Sequence, residues 1–205
     1  MRAPLLLLLL SVLCSVQLCR AQQDTLLGDD EYYLEMRGRV LLSEGQQHDD
    51  EKKGLDSAEV RVTNENGREV IFGYTDEKGR LAFRLPLGRR FSVTVTRKGF
   101  VKKTITVDTH VPYDERKVFV FTFNIDIFQK VDGLDVAVLE KPVARVAYKQ
   151  IDKNFSYDAA YTNKVNAGLQ KMYREYYALK RKEQQKADSA AGKAPAPKPA
   201  PAKKK

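Results

Sequence analysis

Apolar residues recur along this chain with two different periods. Between residues 36 and 125 they alternate with polar ones in short runs, the pattern of strands buried on one face. The runs 36–43, 58–63, 69–75, 80–85, 90–97, 100–107 and 117–125 predict seven strands. In the fifth, Phe91, Val93 and Val95 share one face while hydroxyls take the other. The turns between runs carry their own signals: Asn66-Gly67 predicts a type I′ hairpin, and Gly79 supplies positive φ to the turn begun at Thr75. Pro86 to Gly88 and Lys98-Gly99 reverse the chain twice more. The seventh run is the most continuously apolar, which predicts a central strand. Seven strands with turns roughly every ten residues predict a two-sheet antiparallel sandwich.

After Asp126 the pattern changes. Residues 142–151 and 155–157 predict a short hairpin within a linker spanning 126–157. Asp158 is placed to cap a helix over 158–186. Along it Tyr161, Val165, Leu169, Met172, Tyr176 and Leu179 recur every three or four residues and form one stripe, with Tyr173 and Tyr177 beside it. Two uses of that stripe stand open: covering the chain's own sandwich, or meeting a partner in a groove or coiled coil. Residues 187–205 are Ala, Pro and Lys with little else, a composition that predicts a disordered, extended tail. Residues 22–35 read as a polar, acidic lead-in, and 44–54 as a charged loop interrupting the first two runs.

Charge sharpens this picture. The net charge is +9, but eleven Lys and Arg against three acids from Lys171 onward account for almost all of it. Residues 22–56 lean the other way, with ten acids and four bases. Lys193, Lys198, Lys203, Lys204 and Lys205 are therefore candidate contacts to an anionic surface, where each lysine contributes about 1 kcal/mol at most. Ahead of the sandwich, Arg2, the apolar run from Leu5 to Leu13 and the small residue Ala21 form a secretory signal, residues 1–21. Its roughly fifteen apolar residues fall short of the ~20 that span a bilayer. Both cysteines, Cys14 and Cys19, lie inside it, so the exported chain is expected to hold no disulfide.

A family resemblance rests on particular residues. Gly38-Arg-Val40, Ala58-Glu-Val-Arg-Val62, Thr75 to Phe83, Leu85-Pro-Leu-Gly88 and Phe91 to Phe100 together resemble the carboxypeptidase-regulatory-like domain of bacterial envelope proteins. That resemblance covers about residues 36–125 and implies an Ig/transthyretin-like sandwich with a non-catalytic accessory or binding role. The long charged loop 44–54 departs from the family pattern.

The search for chemistry yields little. There are two histidines, His48 and His110, with no Gly-x-Ser-x-Gly beside either, so neither a hydrolytic triad nor an ordinary zinc site is expected. Asp49-Asp50-Glu51 and the pair Asp132 and Asp135 do not follow a calcium-loop spacing. No Gly-rich phosphate loop opens a helix, and no cofactor is expected. The expectation is a non-enzymatic, exported protein of the periplasm or outer envelope that binds a protein, an anionic polymer or a membrane. A carbohydrate-binding module, using Tyr74 or Tyr113 beside Asp76 or Asp114, is the first alternative. A nucleic-acid binder acting through the lysine tail is the second, and export argues against it.

Overall fold

The computed structural model describes residues 31–43 and 52–190. The expected signal segment, most of the acidic lead-in, residues 44–51 and the lysine-rich tail lie outside the described residues. Among the described residues the protein is mainly β, with two sheets and one long helix. The smaller sheet has three strands in the order β4-β1-β7: β1 is Tyr33–Leu42, β4 Arg80–Pro86 and β7 Phe119–Ile127. The larger has six in the order β3-β2-β5-β6-β8-β9: β2 is Glu59–Asn64, β3 Glu69–Tyr74, β5 Arg90–Thr96, β6 Lys103–Asp108, β8 Ala144–Lys149 and β9 Asn154–Tyr157. Helix α1, Ala159–Ala190, follows.

Period-two alternation aims one side of each strand into the core. Leu34, Met36 and Val40 from β1 meet Val93 and Val95 from β5 and Ile105 and Val107 from β6, all buried. The β7 rings close the space, with Phe119 edge-on to Phe155 at 5.1 Å and Phe121 to Tyr157 at 5.2 Å. Gly38 sits among them because a Cβ there would stand 2.4 Å from the Phe123 ring.

Several expectations change. The sandwich is not wholly antiparallel, since β1 runs parallel to β7 and β6 parallel to β8. β7 is an edge strand rather than a central one. Its apolar continuity arises because Val118 and Val120 face outward, 44% and 43% exposed, while the phenylalanines face in. The hairpin 142–157 is no appendage, as β8 joins β6 and carries β9 into the larger sheet. β1 starts at Tyr33, inside the expected lead-in, because Leu34 is fully buried at the Leu85 register. The hairpin at Gly67 is not type I′. Only Gly67 has positive φ, and Asn64 Oδ1 accepts from the amides of Asn66 and Arg68, so the turn is four residues long with a bulge.

Candidate binding surfaces

The first candidate lies under helix α1. Asp158 caps it, its Oδ1 accepting from the Tyr161 amide at 3.1 Å. Three strands cannot cover the inner face of six, and the helix packs along β8 and reaches residues of β6 and β7. Met172 and Tyr176 are each 3% exposed, and the Tyr176 ring lies 4.4 Å from that of Phe128. Of the two uses open to the stripe, covering the chain's own sandwich accounts for Met172 and Tyr176, and Tyr161, Val165, Leu169 and Leu179 are half-buried beside those two. The Tyr161 hydroxyl donates to the Pro142 carbonyl at 2.7 Å, with the Arg145 guanidinium 4.0 Å above its ring.

Beneath the helix, Lys103 of β6, Asp126 of β7 and Tyr173 of α1 form a closed cluster. Lys103 Nζ donates to Asp126 Oδ1 at 3.1 Å and to Tyr173 Oη at 2.6 Å, while the Tyr173 hydroxyl donates to Asp126 Oδ2 at 2.5 Å. The Lys103 side chain is only 4% exposed, and Lys52 Nζ stands 4.0 Å from Asp126. Burial would raise the Asp126 carboxyl, but the Lys103 ammonium, the Tyr173 hydroxyl and Lys52 outweigh it and hold it below its ordinary value. Burial first, then the Asp126 charge, push the Tyr173 phenol far upward. The carboxylate is therefore ionised and the phenol protonated near neutrality, each satisfied by the other. This cluster fastens the helix to one strand from each sheet. The strand period carried a signal for it, because Lys103 shares the inward phase of Val101, Ile105 and Val107.

The second candidate is the outer face of the smaller sheet, which no described element covers. Register places Arg39 opposite Arg80 and beside Asn124, then Arg37 between Ala82 and Thr122, then Glu35 between Arg84 and Val120. Arg37 Nε donates to Glu35 at 2.9 Å, Arg80 Nε to Asp76 at 3.1 Å and Arg39 Nε to the Lys78 carbonyl at 3.4 Å. The Arg84 guanidinium lies 4.6 Å from the Tyr33 ring centroid. A groove of about 540 Å³ runs along the Arg37 and Arg39 rows. Sequence reasoning missed this face because strand alternation exposes each arginine without revealing that β1 pairs with β4.

The sugar-site candidates are not brought together. Tyr74 and Asp76 flank the start of β4, whereas Tyr113 and Asp114 lie near its far end, where Thr109 Oγ1 donates to the Pro86 carbonyl. The seven-residue strand β4 separates them by about 20 Å. His110 Nδ1 lies 2.6 Å from Asp108 Oδ1 on the surface, and Arg90 holds the other carboxylate oxygen at 3.0 Å. Asp135 caps a short 3-10 turn through the Ala137 amide. Among the described residues no three His, Cys, Asp or Glu side chains converge, and no described helix is long and apolar enough to cross a membrane. His48, Asp49, Asp50, Glu51 and the tail lysines Lys193, Lys198, Lys203, Lys204 and Lys205 lie outside the described residues.

No protein-family model matches the chain. No curated protein matches it either. Among solved structures it is similar to the TIE protein of Bacillus anthracis, at 23% identity and TM-score 0.37, over 51% of this chain and 20% of that one. It is also similar to the catechol 1,2-dioxygenase of Acinetobacter sp. ADP1, at 17% identity and TM-score 0.37, over 58% of this chain and 60% of that one. The minor pilin GBS52 of Streptococcus agalactiae gives 13% identity and TM-score 0.35, over 49% of this chain and 46% of that one. The chain thus spans less than two thirds of each. At such TM-scores these likenesses assign neither activity nor partner to it.

Proposed function

We propose that this is a non-enzymatic, exported envelope protein whose sandwich holds out a basic arm toward an anionic polymer. One observation carries the reading: the helix packs on the sandwich as far as Leu179, and residues 181–187 do not. At about 1.5 Å per residue its 32 residues span about 48 Å. Residues 181–187 are exposed all round and include Arg181, Lys182 and Lys186. They lead directly into the lysine-rich tail. A helix polar on every side has no core to cover and serves here as a spacer. The resemblance of residues 36–125 to carboxypeptidase-regulatory-like domains accords with an accessory role, and the self-satisfied Lys103 cluster is a fastening rather than a reactive site.

Binding of the chain from Gln22 to isolated envelope fractions at low ionic strength tests this. A version ending at Asp188, and one with Arg181, Lys182 and Lys186 changed to Gln, should each bind several-fold more weakly, with the difference vanishing in high salt. Equal binding by all three would sink the proposal.

A further inference from the structure

We infer that the outer face of the three-stranded sheet is a docking surface for an acidic polysaccharide. This site is separate from the basic arm. Directly opposed like charges on neighbouring strands are destabilising, yet register sets Arg39 against Arg80 on this face. Asp76 offsets the charge of Arg80, whereas Arg39 meets only the neutral Lys78 carbonyl, and an anion beside Arg39 would remove the rest of that cost. Arg37, Arg39 and Arg80 each use only Nε toward protein among the described residues, through Glu35, the Lys78 carbonyl and Asp76. Their Nη groups are left for a ligand, and a guanidinium fork matches a carboxylate with two parallel hydrogen bonds.

The neutral positions decide which polyanion fits. Thr122 and Asn124 are exposed beside the arginine rows, Asp76 adds an acceptor, and the small Ala82 keeps the groove open. Hydroxyl donors and acceptors interleaved with guanidiniums suit a uronic-acid chain, whose sugar units carry one carboxylate among several hydroxyls. A planar lipid surface fits poorly, because it would press Glu35 and Asp76 against anionic headgroups at once, whereas a single chain can lie along the arginine rows and turn hydroxyls toward those carboxylates. Single-stranded nucleic acid fits poorly too, because the Tyr33 ring beside these rows is already stacked by Arg84.

The test uses calorimetric titration of the chain from Gln22 with a short galacturonate oligomer. Its methyl ester, polyglutamate and anionic phosphatidylglycerol vesicles are run in parallel. The double variant Arg39→Gln/Arg80→Gln should lose about tenfold or more in affinity for the galacturonate. Thr122→Ala/Asn124→Ala should lose several-fold for galacturonate and nothing for polyglutamate. Circular dichroism should report unchanged folds, since all four side chains are on the surface. A truncation at Asp188 should keep most of the galacturonate affinity, which separates this surface from the tail. Equal binding of the methyl ester, indifference to the arginine pair, or an arginine-dependent preference for vesicles or polyglutamate over the glycan would each overturn the inference.

Discussion

Gly79 occupies a point where two backbone segments leave no room for a side chain. Its φ is +72°, and a Cβ would stand 2.3 Å from the Val40 carbonyl oxygen and 2.7 Å from the Leu55 amide nitrogen. Neither atom can swing aside as a side chain would. Gly79→Ala should therefore cost at least about 3 kcal/mol, measured by urea denaturation, because left-handed strain and a backbone clash add. Gly67 has the same sign of φ with nothing within 4 Å, so Gly67→Ala should cost only about 1 kcal/mol. Asp126 and Tyr173 both make stability depend on pH. The Asp126 carboxyl is held below its unfolded value, so its contribution is complete above about pH 4 and is lost as the pH falls through the folded value. The Tyr173 phenol is raised, so its contribution is complete below about pH 10 and is lost as the pH rises further, when only the unfolded chain gives up its proton. Tyr148 is pushed up to about 12 by burial and by its bond to Glu115, and it acts in the same direction. Unfolding midpoints measured across pH should decline at both ends, and Tyr173→Phe should flatten the alkaline decline while leaving part of it to Tyr148.

Helix α1 depends on the sandwich rather than on its own propensities, because its buried positions are few and its final turns are polar. Lys103, Asp126 and Tyr173 are the polar part of that dependence. Lys103→Met should cost about 2–3 kcal/mol by removing the nearer of two ammonium groups from a part-buried carboxylate that keeps its bond from Tyr173. Adding Asp126→Leu should recover part of the loss, since an apolar pair of similar volume needs no compensating charge. Hydrogen exchange in residues 165–177 should rise in the single variant and return toward wild type in the double. If exchange across α1 stayed unchanged in Lys103→Met, the helix would be held by Met172 and Tyr176 alone. Much of this architecture was legible beforehand. Alternation located seven of the nine strands as a sandwich and the other two as a hairpin, and Asp158 marked the helix start to the residue. What stayed hidden were facts of pairing: that β7 lies at an edge beside β1, that β8 adds parallel to β6, and that Asp126, Lys103 and Tyr173 meet. Residues 23 and 47 positions apart along the chain become neighbours only once two sheets and a helix are assembled. Local period assigns each a face but never a partner.

The whole molecule places its two basic regions at one end. β1 runs from Tyr33 toward Leu42, so Arg37 and Arg39 lie near the end of the sandwich where Ser43 Oγ stands 3.2 Å from Tyr177 Oη. Arg39 and Ser43 are four positions apart, about 13 Å of extended chain, and the helix runs about 20 Å beyond Tyr177 to Ala190. A flexible polyanion engaging both the arginine face and the arm must therefore span up to about 30 Å. Once it does, the second contact becomes intramolecular and adds avidity without any new chemistry. Affinity for a galacturonate series should consequently rise gently with length, then steeply once the chain exceeds that span. Removing the arm should abolish the steep rise while leaving short-oligomer affinity nearly intact, and Arg39→Gln/Arg80→Gln should weaken short and long oligomers alike. The salt dependence carries the same signature: the slope of log affinity against log salt should be steeper for long chains than for short ones, because more cationic contacts release more counterions. Surface plasmon resonance on length-fractionated oligomers would measure both trends. A slope that did not change with length would mean that the face and the arm act on different ligands.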